Sequence, residues 1–187
     1  MKNLTDTPVS PTGNSMGALL APLSDVVSTD DFTPRLLALI SNALVWRESF
    51  LLRREFDLGT NDWRVISALA VSPGATATYV SSFVGMNKAV VSKAVSTLIA
   101  RNMIVATDGP RGSRPLHLTS AGAEMHDKMK PISLKGEEIV LSDLSADEVV
   151  QLNALLTRLL LKTPDLSTVT ESTTVETTQW NEKHVTT

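Results

Sequence analysis

Cysteine is absent from the 187 residues, which excludes disulfides, thiolate metal sites, cysteine nucleophiles and thiol redox switches. The three histidines, His117, His126 and His184, lack the spacing that would place two metal ligands on one face of a helix. No apolar run reaches the roughly 18 residues that a membrane helix requires, and only Lys2 gives the N-terminus a positive charge before polar residues begin. We therefore expect a soluble cytoplasmic protein with no metal, no cofactor and no membrane contact.

Acidic residues outnumber basic ones overall, but they are nearly missing from the middle of the chain. The net charge is −3, with −2 over residues 1–75 and −5 over residues 119–187. Between them, residues 76–118 hold five Lys and Arg residues against Asp108 alone, which is a net charge of +4. DNA-binding proteins concentrate their phosphate-facing charge in this way, so this segment is a candidate nucleic-acid interface.

Helical signals dominate both sides of this segment. Apolar residues recur with a helical period from Phe32 to Phe56, which predicts a first helix too long for a small domain to cover. Its uncovered stripe is expected to pack on another element or another chain. A capping box at Ser145 and Glu148 begins a last helix with one apolar stripe, and Pro131 should kink or interrupt the helix before it.

Capping residues divide the middle of the chain into shorter helices, which are predicted over residues 60–71, 76–84 and 87–101. Thr60 with Asp62, Thr76 and Asn87 are the residue types that begin helices. Gly85 suits a left-handed turn between the second and third of them. Two short helices joined by a glycine turn are the arrangement that presents the later helix to a DNA groove.

The residues that follow predict a β-hairpin with strands at 104–106 and 115–118 and a Gly- and Pro-rich loop at 108–113. Arg111 and Arg114 lie at its tip, where a planar guanidinium can enter a narrow minor groove. Arginines on a solvated loop are the alternative interpretation of this pair. The helices and the hairpin together predict a mainly α, winged helix-turn-helix fold.

Residues 88–99 divide cleanly on a helical wheel, with cations and hydroxyls on one half and aliphatic side chains on the other. The polar half has no acidic residue, whereas ordinary solvated helix faces usually mix acids among their lysines. Carboxylates there would repel phosphates, and short side chains allow a close approach to base edges. A solvated helix that happens to lack acids is the alternative. The residues predicted to contact DNA are Thr76, Thr78, Asn87, Lys88, Ala89, Ser92, Lys93, Ser96, Thr97, Arg111 and Arg114.

Four segments together carry a family resemblance, and they are Trp63–Ala70, Asn87–Ile104, Leu116–Gly122 and Leu144–Glu148. With them, the chain from Trp63 to about Leu160 resembles the MarR family of bacterial transcriptional regulators. Members are dimeric winged-helix proteins, so the resemblance implies a dimer built from the first and last helices. The expected parts are tails at 1–30 and 163–187, which we predict to be flexible, and a domain at 31–162 with a DNA-binding lobe at 60–118 and dimerisation helices at 32–57 and 119–162.

The resemblance also bears on the hairpin and on a ligand. The family usually places an Asp-x-Arg pair before the second strand, and this chain departs from it, with Asp108 ahead of Pro110-Arg111-Gly112. We favour Arg111, with Asp108 as its partner, over Arg114 as the arginine that enters the minor groove. Family members commonly bind a small aromatic or phenolic anion between the dimer helices and the DNA-binding lobe. The residues that we expect around such a pocket are Trp46, Arg47, Arg54, Trp63 and Arg64.

These patterns predict a homodimeric, sequence-specific transcriptional regulator, a repressor that binds a pseudo-palindromic operator in double-stranded DNA and that a small aromatic anion releases. A winged-helix module that contacts only other proteins is the alternative. An enzyme is not expected, because the sequence offers no nucleophile with an adjacent base, no phosphate-cradling glycine loop and no plausible carboxylate pair.

Overall fold

The computed structural model describes residues 19, 21–27 and 30–168, so most of the two predicted tails lies outside the described residues. Contacts group the chain into two units, Met1–Ser41 and Asn42–Thr187. The elements of the described part, in chain order, are α1 (Thr33–Phe56), α2 (Thr60–Val71), α3 (Ala77–Val84), α4 (Lys88–Ala100), β1 (Ile104–Ala106), β2 (Leu116–Leu118), α5 (Ser120–Val140), α6 (Ala146–Leu160) and α7 (Asp165–Thr168). The short helix α7 lies within the segment that we expected to be a tail.

Side-chain caps begin the helices at the positions that the sequence predicts. Thr76 Oγ1 accepts a hydrogen bond from the backbone N–H of Tyr79 at 3.3 Å, and Asn87 Oδ1 accepts one from Val90 at 2.9 Å. Gly85 ends α3 in the left-handed region, with φ of 65°. This conformation costs glycine little, and it turns the chain directly into α4.

The start of α2 differs from the prediction, because Gly59 rather than Thr60 precedes the helix in extended backbone geometry. The Asp62 carboxylate accepts the Gly59 N–H at 2.8 Å, so Asp62 has the expected role. Thr60 instead turns its side chain inward. It is buried, and its hydroxyl has no hydrogen-bond partner among the described residues.

The hairpin pairs β1 with β2 antiparallel, with Ile104 opposite Leu118 and Ala106 opposite Leu116. The second strand begins at Leu116, one residue later than predicted. Pro115 precedes the strand, because proline has no N–H to donate to the ladder. The other side of β2 is also bonded, since Leu116 accepts from Gly74 N–H at 2.9 Å. The base of the hairpin is therefore fixed to the chain between α2 and α3.

Helix α2 lies at the centre of the core and contacts α3, α4, α5 and β2. Each large aliphatic side chain that this core buries contributes about 1.5–3 kcal/mol. The arrangement of a helix-turn-helix followed by a hairpin confirms the predicted winged helix fold. The buried apolar residues are Leu52, Leu58, Val65, Ile66, Ala68, Leu69, Val80, Val91, Ala94, Val95, Leu98, Ile104, Leu116 and Met129.

Helix α5 runs through Pro131 without the predicted interruption. A proline inside a helix removes one hydrogen bond and crowds the preceding turn, so neighbouring contacts must hold the helix together. Such contacts come from α1 directly after the proline. Arg47 Nη1 donates to the carbonyl of Ile132 at 2.9 Å, and the Ser133 hydroxyl donates to Glu48. Anchoring on both residues explains why the helix continues.

Two helical surfaces remain apolar and exposed. In the N-terminal half of α1, Leu39 and Ile40 are about half exposed. Helix α6 buries none of its residues, and Val150 and Leu160 are each more than two-thirds exposed. Exposed apolar surface of this kind is typical of a helix that is covered by another chain.

Candidate nucleic-acid interface

The two faces of α4 have the environments that the helical wheel predicts. The aliphatic face packs into the core through Val91, Ala94, Val95 and Leu98, and Ile99 alone departs from the pattern, at 39% exposure. The opposite surface is solvent-facing. We call it the recognition face, and it consists of Lys88, Ala89, Ser92, Lys93, Ser96 and the partly exposed Thr97.

The turn between α3 and α4 is fixed by reciprocal hydrogen bonds. The Ser81 hydroxyl donates to the carbonyl of Met86 at 2.5 Å, and the Met86 N–H donates back to the Ser81 carbonyl at 3.1 Å. Ser81 is buried, so water competes little for these bonds. Helix α4 is therefore held at a fixed angle to α3, as a helix that enters a groove requires.

Lys88 and Lys93 are both exposed and form no salt bridge with any residue that the structure describes. Their charges are thus available to an external anion such as a phosphate. The hydroxyls of Ser96 and Thr97 donate to backbone carbonyls one turn earlier, at 2.9 Å and 3.1 Å. Their oxygens retain the capacity to accept a further hydrogen bond.

Thr76 and Thr78, at the start of α3, have different environments. Thr76 is half-buried and acts as the cap, whereas Thr78 is exposed. One turn further, Tyr79 and Phe83 stack with ring centroids 6.0 Å apart, although each is about half exposed. We did not predict this aromatic pair, whose only sequence signal is a spacing of four residues within a helix.

The hairpin tip exposes both Arg111 and Arg114. The turn Pro110–Gly112 holds Arg111 in the left-handed region, with φ of 56°, which is uncommon for a residue other than glycine, asparagine or aspartate. Among the described residues no ion pair joins Asp108 to Arg111, so the partnership that we favoured is not formed here.

Arg101, one of the five cations counted in the basic segment 76–118, contacts the end of α1. Its Nη1 donates to the Phe56 carbonyl at 3.1 Å, and its Nη2 pairs with the Asp57 carboxylate. The guanidinium is about one-third exposed. One of the five cations of the basic segment is therefore engaged within the protein.

An open cleft of about 620 Å³ lies between the end of α1, the start of α2 and α4. Arg53 and Lys93 bring positive charge to it, and Asp57 and Asp62 bring negative charge. The rest of the lining combines apolar side chains with hydroxyl and amide groups. Neither Arg53 nor Lys93 has an ion-pair partner in the described part of the chain. The lining residues are Val45, Ser49, Arg53, Asp57, Leu58, Gly59, Thr60, Asn61, Asp62, Val90, Lys93, Ala94 and Thr97.

None of the five residues predicted for a ligand pocket lines this cleft. Trp46 is 74% exposed. Arg54 pairs with Glu55 at 2.8 Å and lies 5.6 Å from the centre of the Phe50 ring. Trp63 stacks on His126, with ring centroids 5.4 Å apart.

The other two predicted pocket residues are also placed apart from the cleft. Arg47 donates to a carbonyl of α5, and Arg64 is half-buried. The spacing of aromatic and basic residues along α1 and α2 did not indicate which of them share a cavity. Arg53, the α1 cation that does line the cleft, has no distinguishing sequence signal beside Arg54.

The helix-turn-helix, the exposed acid-free face on its second helix and the hairpin that follows define a winged-helix protein. The sequence model described as the MarR family matches residues 56–115, which include α2, α3, α4 and β1. The predicted resemblance to the MarR family is confirmed over these residues.

Among the helices of the described residues, none combines the length and the hydropathy that a membrane span requires.

Solved structures extend the similarity over most of the described chain. A MarR/EmrR family transcriptional regulator from Acinetobacter sp. ADP1 is similar with a TM-score of 0.69 and 24% identity, covering 74% of this chain and 99% of that one. The MepR–DNA complex of S. aureus has a TM-score of 0.64 and 20% identity, covering 72% and 99%. The PcaV regulator of Streptomyces coelicolor, in complex with its natural ligand, has a TM-score of 0.62 and 22% identity, covering 73% and 96%. Among curated proteins, none matches. The chain thus has the fold of MarR-family regulators.

Proposed function

We propose that this protein is a homodimeric, sequence-specific DNA-binding transcriptional regulator that acts as a repressor. The single observation that carries the proposal is the recognition face of α4, which is exposed, cationic and free of acids in a chain with a net charge of −3. A solvated helix has no physical reason to exclude carboxylates from such a face, whereas a phosphate-facing helix does.

The proposed DNA contacts divide by chemistry. Lys88 and Lys93 neutralise phosphates, while Ala89 and Ser92 are short enough to let α4 approach base edges. The N-termini of α3 and α4 present backbone N–H groups, which suit a phosphate oxygen. Thr76, Thr78 and Asn87 lie at those ends. Ser96 and Thr97 extend the contact along the same face. The hairpin tip contacts the minor groove through Arg111, with Arg114 as the alternative.

A second copy of the chain is the occupant that we propose for the exposed apolar surfaces of α1 and α6. Leucines of both helices are exposed in the single chain, and another chain usually covers exposed apolar surface of this kind. A two-fold axis between protomers would place the two α4 helices in successive major grooves, about one helical turn apart. The operator is therefore expected to be pseudo-palindromic.

We also propose that binding of a small aromatic anion releases the DNA. We place this anion in the α1–α2–α4 cleft, and not beside the five residues that the sequence predicts for a ligand pocket. Arg53 and Lys93 suit a carboxylate. The apolar part of the mixed lining, formed by Val45, Leu58 and Val90 among others, suits a ring. An anion that pairs with Lys93 withdraws that lysine from a phosphate. PcaV, whose structure is similar, was solved with its natural ligand.

The experiment is a DNA-binding assay on duplexes that the wild-type protein selects from a random-sequence pool. Lys88→Ala is compared with Lys128→Ala, an exposed lysine of α5 that serves as the matched control. Lys88→Ala should weaken binding and reduce the slope of log affinity against log salt by about one. Lys128→Ala should leave both unchanged. If the wild type enriches no sequence, or if Lys88→Ala binds normally, the proposal is wrong.

One observation favours the second candidate, a module that contacts only proteins. The half-exposed stack of Tyr79 and Phe83 on α3 offers an aromatic anchor of the type found at protein interfaces. Tyr79→Ala separates the two functions, because it should weaken DNA binding little if α4 carries the contact. A wild-type protein that binds no duplex DNA would favour this candidate.

A further inference from the structure

Arg101 is the residue from which a further role can be argued. It ends α4, and its guanidinium reaches 45 residues back along the sequence to the Phe56 carbonyl, at 3.1 Å. A second nitrogen of the same group pairs with Asp57. Phe56 is the last residue of α1, so both bonds join the end of the recognition helix to the end of α1.

The α1 end of this link is itself fixed. Asp57 has a φ of 53°, in the left-handed region that aspartate tolerates better than most residues. The side chains of Leu52 and Leu58, on either side of it, are fully buried. The backbone to which Arg101 is bonded at Phe56 is thus held by the core, whereas the Asp57 carboxylate that pairs with Arg101 is 89% exposed.

The Ser81–Met86 hydrogen bonds fix only the N-terminal end of α4, against α3, and between its two ends the contacts of α4 are of another kind. Its buried side chains Val91, Ala94, Val95 and Leu98 pack apolar surface, and the hydrophobic effect behind this packing is non-directional. Hydrogen bonds from a planar guanidinium are directional and fix an angle. Arg101 therefore supplies directional restraint at the C-terminal end of α4.

We propose that Arg101 is a positioning residue, which through Asp57 and Phe56 sets the angle between α4 and α1 and thereby the half-site spacing that the dimer accepts. The inference rests on the proposed function as a dimeric DNA-binding protein. Helix α4 is roughly 20 Å long, so a rotation of about 10° at Arg101 moves Lys88 by about 3 Å, which is close to one base-pair step. The two recognition faces of a dimer keep a fixed separation only if that angle is fixed.

The experiment uses the full-length chain and the duplex that the wild type selects from random-sequence DNA. Binding is measured on this duplex and on two others in which the half-sites are one base pair closer or further apart. The variants are Arg101→Ala, Arg101→Lys, Asp57→Asn and the double variant of Arg101→Ala with Asp57→Asn, with Lys128→Ala as the control.

Arg101→Ala should bind the selected duplex up to about fivefold more weakly, which is the upper end of what an exposed ion pair contributes. It should also discriminate less between the three spacings, with an unchanged salt slope. Asp57→Asn should reduce affinity and spacing discrimination in the same way but less. The double variant should lose little more than Arg101→Ala alone, and Arg101→Lys should lie between the wild type and Arg101→Ala. Lys128→Ala should match the wild type in all of these measurements.

Several outcomes would overturn the inference. A salt slope reduced by about one in Arg101→Ala would identify Arg101 as a phosphate contact. A uniform loss of affinity with the spacing preference retained, or wild-type behaviour of Asp57→Asn, would also overturn it. Circular dichroism on each variant excludes misfolding, and Asp57→Asn keeps the side-chain shape. Failure of the wild type to select any DNA would instead refute the proposed function, so the two failures are distinguishable.

Discussion

Gly122, in the first turn of α5, packs directly against the backbone of Met103, where α4 passes into the hairpin. A Cβ atom on Gly122 would overlap the Met103 carbonyl oxygen. Because that oxygen belongs to the backbone, it cannot rotate away. The contact fixes α5 against the DNA-binding lobe, and only glycine permits it.

Gly122→Ala should therefore destabilise the protein by about 1–3 kcal/mol, the usual cost of overpacking. Gly136→Ala is the control, since a Cβ there meets only the ends of two side chains, Leu44 at 3.3 Å and Arg47 at 3.6 Å, and no backbone atom. Gly136→Ala should leave the free energy of unfolding unchanged or raise it by up to about 1 kcal/mol, because alanine is a better helix former than glycine. Urea unfolding measures both, and equal midpoints for the two variants would contradict the packing argument.

The start of α6 should give the protein a pH-dependent component of stability. A backbone hydrogen bond from Ser145, and then its hydroxyl, hold the pKa of the Glu148 carboxyl below its ordinary value. The folded pKa is depressed, so the stabilisation is present above the ordinary value, about pH 4, and is lost as the pH falls through the folded value. The Tm difference between wild type and Glu148→Gln should therefore shrink as the pH is lowered from the ordinary pKa of a glutamate through the folded pKa of Glu148. A difference that does not change with pH would contradict the assignment.

The proposed dimer predicts a strong effect of charge on α6. Leu155 is about half exposed, and Leu155→Glu should convert the dimer to a monomer, because burying an unpaired carboxylate is costly. DNA affinity should fall with it. Val71→Glu, at an exposed apolar position on α2, is the control and should remain dimeric. Light scattering after size exclusion reports the mass, and a dimeric Leu155→Glu would argue against α6 as the interface.

The two hairpin arginines can be distinguished through the backbone of Arg111. Arg111→Gly should raise stability by roughly 0.5–1 kcal/mol, because glycine adopts φ of 56° without strain. It should at the same time weaken DNA binding. Arg114→Ala should change stability little. If only Arg114→Ala weakens binding, then Arg114 is the minor-groove contact, and the preference for Arg111 is wrong.

The cleft predicts which arginine of α1 responds to a ligand. A panel of small aromatic carboxylates is tested by thermal shift on the wild type, Arg53→Gln and Arg54→Gln. Arg53→Gln should reduce the Tm increase, because Arg53 lines the cleft without an ion-pair partner among the described residues. Arg54→Gln should not, since Arg54 pairs with Glu55. Equal loss in both variants would place the ligand elsewhere.

Local rules were sufficient for most of the fold. Caps such as Thr76 and Asn87 use side-chain atoms within three residues of the groups that they bond, so their role is visible in the sequence. The division of α4 into a polar and an aliphatic face follows from helical period alone, and only Ile99 departs from it. The absence of acids from that face is likewise a property of the sequence.

What the sequence could not decide involves residues far apart in the chain. Charge counting includes Arg101 in the basic segment but does not reveal its partners, Phe56 and Asp57, which lie more than forty residues away. Pro131 has a local tendency to interrupt a helix, and contacts with α1 overcame it.

The acid-free recognition face and the winged helix order were therefore determined by the sequence, because they depend on helical period, capping and turn chemistry over a few residues. Only the tertiary structure decided which residues share the cleft. It alone also decided that Arg101 is bonded to the end of α1. Packing brings such groups together in space, and no local spacing encodes which distant partners will meet.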